Sequence, residues 1–197
     1  VDTNCNGTIY EMGYEAGFSP DVSPIQIPQG LSSYAAADVY SFLRTLNFDY
    51  GDTHQSIATL KTDGNTIFAE LALPSALINS HTEYLLHPSL VDGALQAVVA
   101  IQAGLGREST GKTFLPFAID ALSVYKPLAI AALARISMSV NSKRIDTSNL
   151  RFDIDFFNLI DNEPEPTPCV SIRGLNCRES LAPGAGNAHA VATPESI

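Results

Sequence analysis

Residues 86–101 read Leu-His-Pro-Ser-Leu-Val-Asp-Gly-Ala-Leu-Gln-Ala-Val-Val-Ala-Ile, the longest predominantly apolar stretch of the chain. Pro88 suits the first turn of a helix, where its missing N–H leaves no hydrogen bond unmade. Ser89 is a candidate cap for that turn. Apolar side chains from Leu90 to Leu105 fall on nearly every face, so the helix is expected to be wrapped by other structure. Gly104 and Gly106 are expected to end it. Asp92 and Gln96 stand four residues apart, on one side of this helix. A carboxylate among Leu90, Val91, Leu95 and Val99 is costly unless it is paired, solvated at a cleft or functional. A first-turn acid favoured by the helix dipole, beside a satisfied amide, accounts for the same pair without chemistry.

Outward from this helix the pattern is of strands. Residues 66–74 alternate, with Ile67, Ala69, Leu71 and Leu73 on one face and Phe68, Glu70 and Ala72 on the other, until Pro74 stops the run. After a polar loop at 106–112, strand-like runs occupy 113–119, 122–125, 129–140, 150–160 and 169–176, with an acidic, Pro-rich hairpin loop at 161–168. Upstream, Ala35, Val39, Phe42, Leu43 and Leu46 recur at helical spacing within residues 33–47, and a turn-rich segment follows at 48–55. Residues 7–12 make a short possible strand, 14–33 read as loop or linker, and 182–197 read as a flexible tail. The chain reads as though it begins inside an element of something larger. One buried helix followed by about five strands predicts an α+β fold in which a curved antiparallel sheet wraps a helix. Asp92 and Gln96 would then sit in a tunnel beside that helix.

The 197 residues carry a net charge of −10, which argues against nucleic acid as a partner, and 45% are apolar, enough for a sizeable core. No apolar run reaches the ~18 residues of a membrane-spanning helix, and no basic-then-apolar signal segment opens the sequence. Cys5, Cys169 and Cys177 have no metal-ligand spacing and are odd in number, so neither a zinc site nor a disulfide framework is expected. A cytoplasmic protein without metal or membrane fits these features best.

Residues 86–96, Leu-His-Pro-Ser-Leu-Val-Asp-Gly-Ala-Leu-Gln, resemble the HPxLxDxxxQ signature on the central helix of the C-terminal half of polyketide synthase dehydratase domains. Tyr50-Gly51-Asp52-Thr53-His54-Gln55-Ser56-Ile57 resembles the YGPxHQGI segment of the subset whose acyltransferase acts in trans, with Asp52 for Pro and Ser56 for Gly. Leu115-Pro116-Phe117 resembles the LPF motif that follows the helix. Residues 152–155 and 169–174 resemble the last two strands. The resemblance runs in order from about residue 34 to residue 178. It implies a hotdog fold, as one half of a double hotdog: residues 1–33 the end of the preceding hotdog with its linker, 34–180 the C-terminal hotdog, and 181–197 a linker. The family's general base is a His in an HxxxGxxxxP motif of the N-terminal half. None of His54, His81, His87 and His189 has that spacing.

The resemblance implies loss of water from a 3-hydroxyacyl thioester carried on the phosphopantetheine of an acyl carrier protein, with no other cofactor. Asp92 would protonate the leaving hydroxyl and Gln96 would orient it, a chemistry that suits a carboxylic acid held protonated beside a neutral amide. Tyr50, Gly51, His54, His87, Pro88, Leu115, Pro116 and Phe117 would contact substrate. From the residues alone, His54 reads better as a backbone-bonded turn residue, and His87 as a residue that positions the helix entry. Lys126, Arg135, Lys143, Arg144 and Arg151 read as a solvated strand face that could also meet an acidic carrier. Implied partners are the carrier protein, the His-bearing half, neighbouring synthase domains and a second copy in a homodimer. A pyran-forming cyclase, a double-bond isomerase and a non-catalytic carrier-binding or dimerisation scaffold are the alternatives.

Overall fold

The computed structural model describes residues 7–8, 25–106, 113–139, 149–161, 163–165 and 167–180. Apart from Gly7 and Thr8, the strand expected at 7–12 lies outside them. The tail at 182–197, most of the polar loop at 106–112, Cys5, Lys143, Arg144 and His189 lie outside as well.

A single antiparallel sheet of nine strands wraps one helix. In chain order the elements are β1 (Ser32–Ala35), α1 (Ala36–Thr45), β2 (Ile57–Thr62), β3 (Thr66–Ala72), α2 (Pro88–Gln102), β4 (Thr113–Ala118), β5 (Ala121–Val124), β6 (Ala131–Met138), β7 (Asn149–Ile160), β8 (Glu163–Pro164) and β9 (Val170–Ser180). Short 3-10 turns cover Asp52–His54 and Ser75–Glu83. The strand order is β1-β2-β3-β6-β7-β9-β4, with β5 also on β9 and β8 on β7. This is the hotdog arrangement, and α2 is the helix it encloses.

The inner face is built by the alternation seen in the sequence. Ile67, Ala69 and Leu71 of β3, Ala132, Ala134 and Ile136 of β6, and Phe152, Ile154 and Phe156 of β7 join Leu90, Ala94, Ala97 and Val98 of α2 in one core. On β9 the inward series changes from Val170 and Ile172 to Leu175 and Cys177, odd after even. The register with β7 shifts there. Gly174, at φ +63°, is the residue that absorbs the extra step, and its N–H donates to Asp153 Oδ1 at 2.8 Å.

The outer face is not bare. Phe68, Leu133 and Phe157 form a second cluster, covered by Ile25, Ile27 and Leu31. Thus part of the segment expected as linker lies across the sheet. Beside it Asp155 accepts from Ser171 Oγ (2.6 Å), Arg173 (2.6 Å) and Arg135 (3.0 Å) across three strands. Burial alone would push the Asp155 carboxyl up, and these three donors outweigh it and hold it low. Cys169 and Cys177 are buried free thiols pushed by burial up to about 11 and about 12, which leaves them unreactive.

Both helix boundaries correct the reading from sequence. The expected helix at 33–47 gives up its first residues to β1, which pairs with β2. Pro88 does open α2, and since the cap precedes the first helical residue it is His87, not Ser89, that fills it. His87 Nδ1 accepts the Ser89 N–H at 3.2 Å, while Ser89 Oγ donates to the Thr53 carbonyl at 2.8 Å. The other end follows expectation. Gly104 takes φ +105°, and the N–H groups of Gly104 and Leu105 close on Ile101 and Ala100. Most of α2 is enclosed. One stripe, made of Pro88, Val91, Asp92, Leu95 and Gln102, is left partly open.

The capping role of His87 gives stability a pH dependence. Burial, with a smaller contribution from the charge of His81, holds the His87 imidazole below its usual 6.5. Only the neutral ring can accept the Ser89 N–H. Below pH about 6.5 the unfolded chain therefore binds more protons than the folded one, and stability falls as pH drops toward the lowered folded value. Thermal melts between pH about 7.5 and 5 should show this loss. His87→Asn, a cap whose acceptor does not titrate, should flatten it, and His87→Ala should cost about 1 kcal/mol at neutral pH.

Candidate active site

The open stripe of α2 carries Asp92, and one turn further on Gln96 points into the core, 1% exposed. Gln96 Nε2 donates to Asp92 Oδ2 at 2.7 Å and to the main-chain carbonyl of His54 at 2.9 Å. A carbonyl oxygen can only accept, so the atom facing it is the amide nitrogen, and the amide orientation follows. Gln96 Oε1 then faces the Tyr40 hydroxyl at 3.2 Å. The expected i, i+4 pair is thus a hydrogen-bonded pair, with both amide protons and the amide oxygen used.

Three elements bring these groups together. α1 buries Val39, Tyr40 and Leu43, which delivers Tyr40 to the side of α2. The turn at Asp52–His54 lies against α2 and presents the His54 carbonyl. At the start of β2, Ser56 Oγ donates to the Ser89 carbonyl at 2.7 Å, which ties the turn to the first turn of α2. Gly93 allows this approach, because a β-carbon there would run into Ser56 and press on Leu71.

Two phenols stand around the carboxyl. Tyr50 stacks on Phe48 (centroids 6.2 Å apart) and meets Tyr40 edge-on at 6.5 Å. Burial, with the Asp92 charge second, pushes Tyr50 up to about 12. Burial likewise pushes Tyr40 up to about 12, the Ile57 N–H opposing and the Asp92 and Tyr50 charges adding. Both hydroxyls are therefore protonated donors at neutral pH.

The remaining expected residues are spread more widely. Gly51 and His54 are exposed in the turn, and the His54 ring lies 3.2 Å from Thr53 Oγ1. His87 is the cap of α2, with its ring against Tyr84. Leu115 packs at the margin of the core, whereas Phe117 is 53% exposed with Arg178 over its ring at 4.5 Å. Lys126, Arg135 and Arg151 are ion-paired to Glu165, Asp155 and Asp120. Among the described residues no group of three or more His, Cys, Asp or Glu side chains is placed to hold a metal ion, and no single helix is long and apolar enough to cross a membrane.

Tyr40 is not among the residues that the sequence pattern singles out. The signal was present: a Tyr on the Val39–Leu43 face of an amphipathic helix is buried, and a buried phenol finds a partner.

Comparison with known proteins gives this chain relatives. The family model described as the polyketide synthase dehydratase N-terminal domain matches residues 19–186. Polyketide synthase PksN of Bacillus subtilis is 32% identical over 177 residues, which is 89% of this chain and 3% of that protein. Polyketide synthase PksL of the same organism is 29% identical over 168 residues, 83% of this chain and 4% of that protein. The crystal structure of a trans-AT polyketide synthase dehydratase domain from Brevibacillus brevis superposes with a TM-score of 0.63 at 30% identity, over 75% of this chain and 48% of that one. The chain therefore spans a few per cent of these synthases and about half of the solved dehydratase domain.

Proposed function

The chain belongs to the polyketide synthase dehydratase family, and from that premise we propose that it is the acid-bearing half of a dehydratase that converts a 3-hydroxyacyl thioester on an acyl carrier protein to the enoyl thioester. The family description names an N-terminal domain. Our assignment to the C-terminal hotdog rests instead on residues 86–96 and 50–57; the 48% coverage of the dehydratase from Brevibacillus brevis accords with one half of a double hotdog. The single observation that carries the reading is the Asp92–Gln96 hydrogen bond on the open stripe of α2.

In this reading a base removes the proton at C2, the C2–C3 double bond forms, and the C3–O bond breaks as Asp92 delivers a proton to the departing hydroxyl. Water leaves, with Asp92 ionised and the base protonated. Gln96 donates to Asp92 Oδ2, so Oδ1 is the oxygen open to the substrate hydroxyl. The same donated bond stabilises the carboxylate as its proton departs. Tyr50, Gly51 and His54 line the path beside Asp92, with His87 and Pro88 at the helix entry and Leu115, Pro116 and Phe117 further along.

The base comes from the other half. Among the described residues, His87 is used as a cap, His81 Nε2 is used on the Leu128 carbonyl at 2.9 Å, and the His54 ring is exposed in its turn. A second hotdog laid over the partly open Val91, Asp92 and Leu95 would bring its His against Asp92 and exclude water. Intact-protein mass spectrometry of a 3-hydroxyacyl carrier protein tests this. Loss of one water is expected with a polypeptide that carries both halves and not with this chain alone. Water loss by this chain alone would refute the shared acid–base pair, and none in either case would refute the dehydratase.

A further inference from the structure

We propose that Tyr40 is a positioning residue which, with the His54 carbonyl, clamps the Gln96 amide so that its NH2 group faces Asp92. The proposal deepens the dehydratase reading and rests on it for its catalytic consequence, though not for the clamp.

The geometry is a directed chain of hydrogen bonds. The Ile57 N–H donates to the Tyr40 oxygen at 2.9 Å. That bond occupies the phenol as an acceptor, so its own proton is free for Gln96 Oε1 at 3.2 Å. On the far side Gln96 Nε2 gives one proton to the His54 carbonyl and the other to Asp92 Oδ2. Every link has a fixed direction because both ends are main-chain groups, one able only to donate and the other only to accept. Ile57 is available for this role because it lies beyond the end of the β1–β2 pairing, which stops at Ala35 and Thr59.

The consequence for Asp92 is a matter of which oxygen holds the proton. With NH2 toward Asp92, Oδ2 is an acceptor and the acidic proton belongs on Oδ1. With the amide turned over, Gln96 would present an oxygen to the carboxyl and take its proton into a dead-end hydrogen bond. Tyr40 is the one side-chain member of the clamp besides Gln96 itself, since Ile57 and His54 contribute main-chain atoms. Without its hydroxyl, Gln96 Oε1 is left buried and unpaired, and the amide loses one of its two anchors.

Tyr40→Phe removes only the hydroxyl. In the polypeptide carrying both halves, kcat should fall about tenfold with KM changed less than about twofold. The decisive arm is a double-mutant cycle. In a Gln96→Ala background, Tyr40→Phe should cost nothing further, because the group it positions is gone. Effects that multiply in the double variant would overturn the proposal and make Tyr40 merely structural.

A second readout is independent of turnover. In 15N–1H spectra of this chain, the Gln96 side-chain protons should be protected from solvent exchange, and Tyr40→Phe should shift them and speed their exchange. Unchanged Gln96 resonances would overturn the clamp even if the enzyme were active. Changed resonances in a protein whose wild type removes no water would uphold the clamp and reject the dehydratase. If Tyr40→Phe does not fold, the wild-type hydroxyl decides. A slowly exchanging Tyr40 proton with a cross-peak to the Gln96 side chain supports the clamp, and rapid exchange with water overturns it.

Discussion

Asp92→Asn, in the polypeptide that carries both halves, is expected to lower the dehydration rate by about 10²–10⁴-fold while leaving the fold intact. Asn matches Asp in shape and keeps an oxygen for the Gln96 Nε2–H that now reaches Oδ2. What it cannot do is release a proton to the departing hydroxyl. The partial openness of Asp92 also means that little is desolvated or lost in packing by the change. A melting temperature close to wild type with turnover near zero is the expected pair of results. Near-wild-type turnover would remove Asp92 from the role of acid, whatever its position on α2.

Gly93→Ala is expected to act through stability instead. Ala is the better helix former by about 1 kcal/mol, which taken alone predicts a gain. The added methyl, however, meets Ser56 Oγ and stands 3.1 Å from Leu71 Cδ2. Displacing Ser56 gives up its hydrogen bond to the buried Ser89 carbonyl. Overpacking at about 1–3 kcal/mol and an unpaired buried group at a similar cost together outweigh the propensity gain, for a net loss of about 2 kcal/mol. In a domain of this size that lowers the melting temperature by about 4–8 °C. Ser56→Gly added to Gly93→Ala should recover the overpacking part of the loss, since it removes the closest clash while leaving the Ser89 carbonyl without its donor. Failure of that rescue would mean that Leu71, not Ser56, limits the approach of α2 to the sheet.

Where the sequence was legible, a short-range rule had nothing to compete with it. The i, i+4 spacing of Asp92 and Gln96 could only place them on one side of a helix, and they are hydrogen-bonded there. The alternating run at 66–74 and the strand-like run at 150–160 became β3 and β7. β2 is not legible in the sequence because its irregular pairing puts Ile57 and Leu60, three apart, on the buried side, which breaks the period of two. The cover over the outer face is not legible either, because Ile25 and Ile27 sit among Pro28, Gly30 and polar residues, and only the sheet behind them makes them core. The cap of α2 lies two residues before the Ser that the sequence offers, because Pro88 fixes where the cap must stand while Ser is the stronger capping type. Tyr40 belongs to tertiary structure altogether, for its partner is 56 residues away.

The contact between Gln96 and position 54 is made through the peptide carbonyl, and a peptide carbonyl is the same whichever residue owns it. The imidazole of His54 faces outward and takes no part in holding the amide. A substitution at position 54 therefore leaves in place the carbonyl that holds Gln96, and with it the Gln96–Asp92 hydrogen bond.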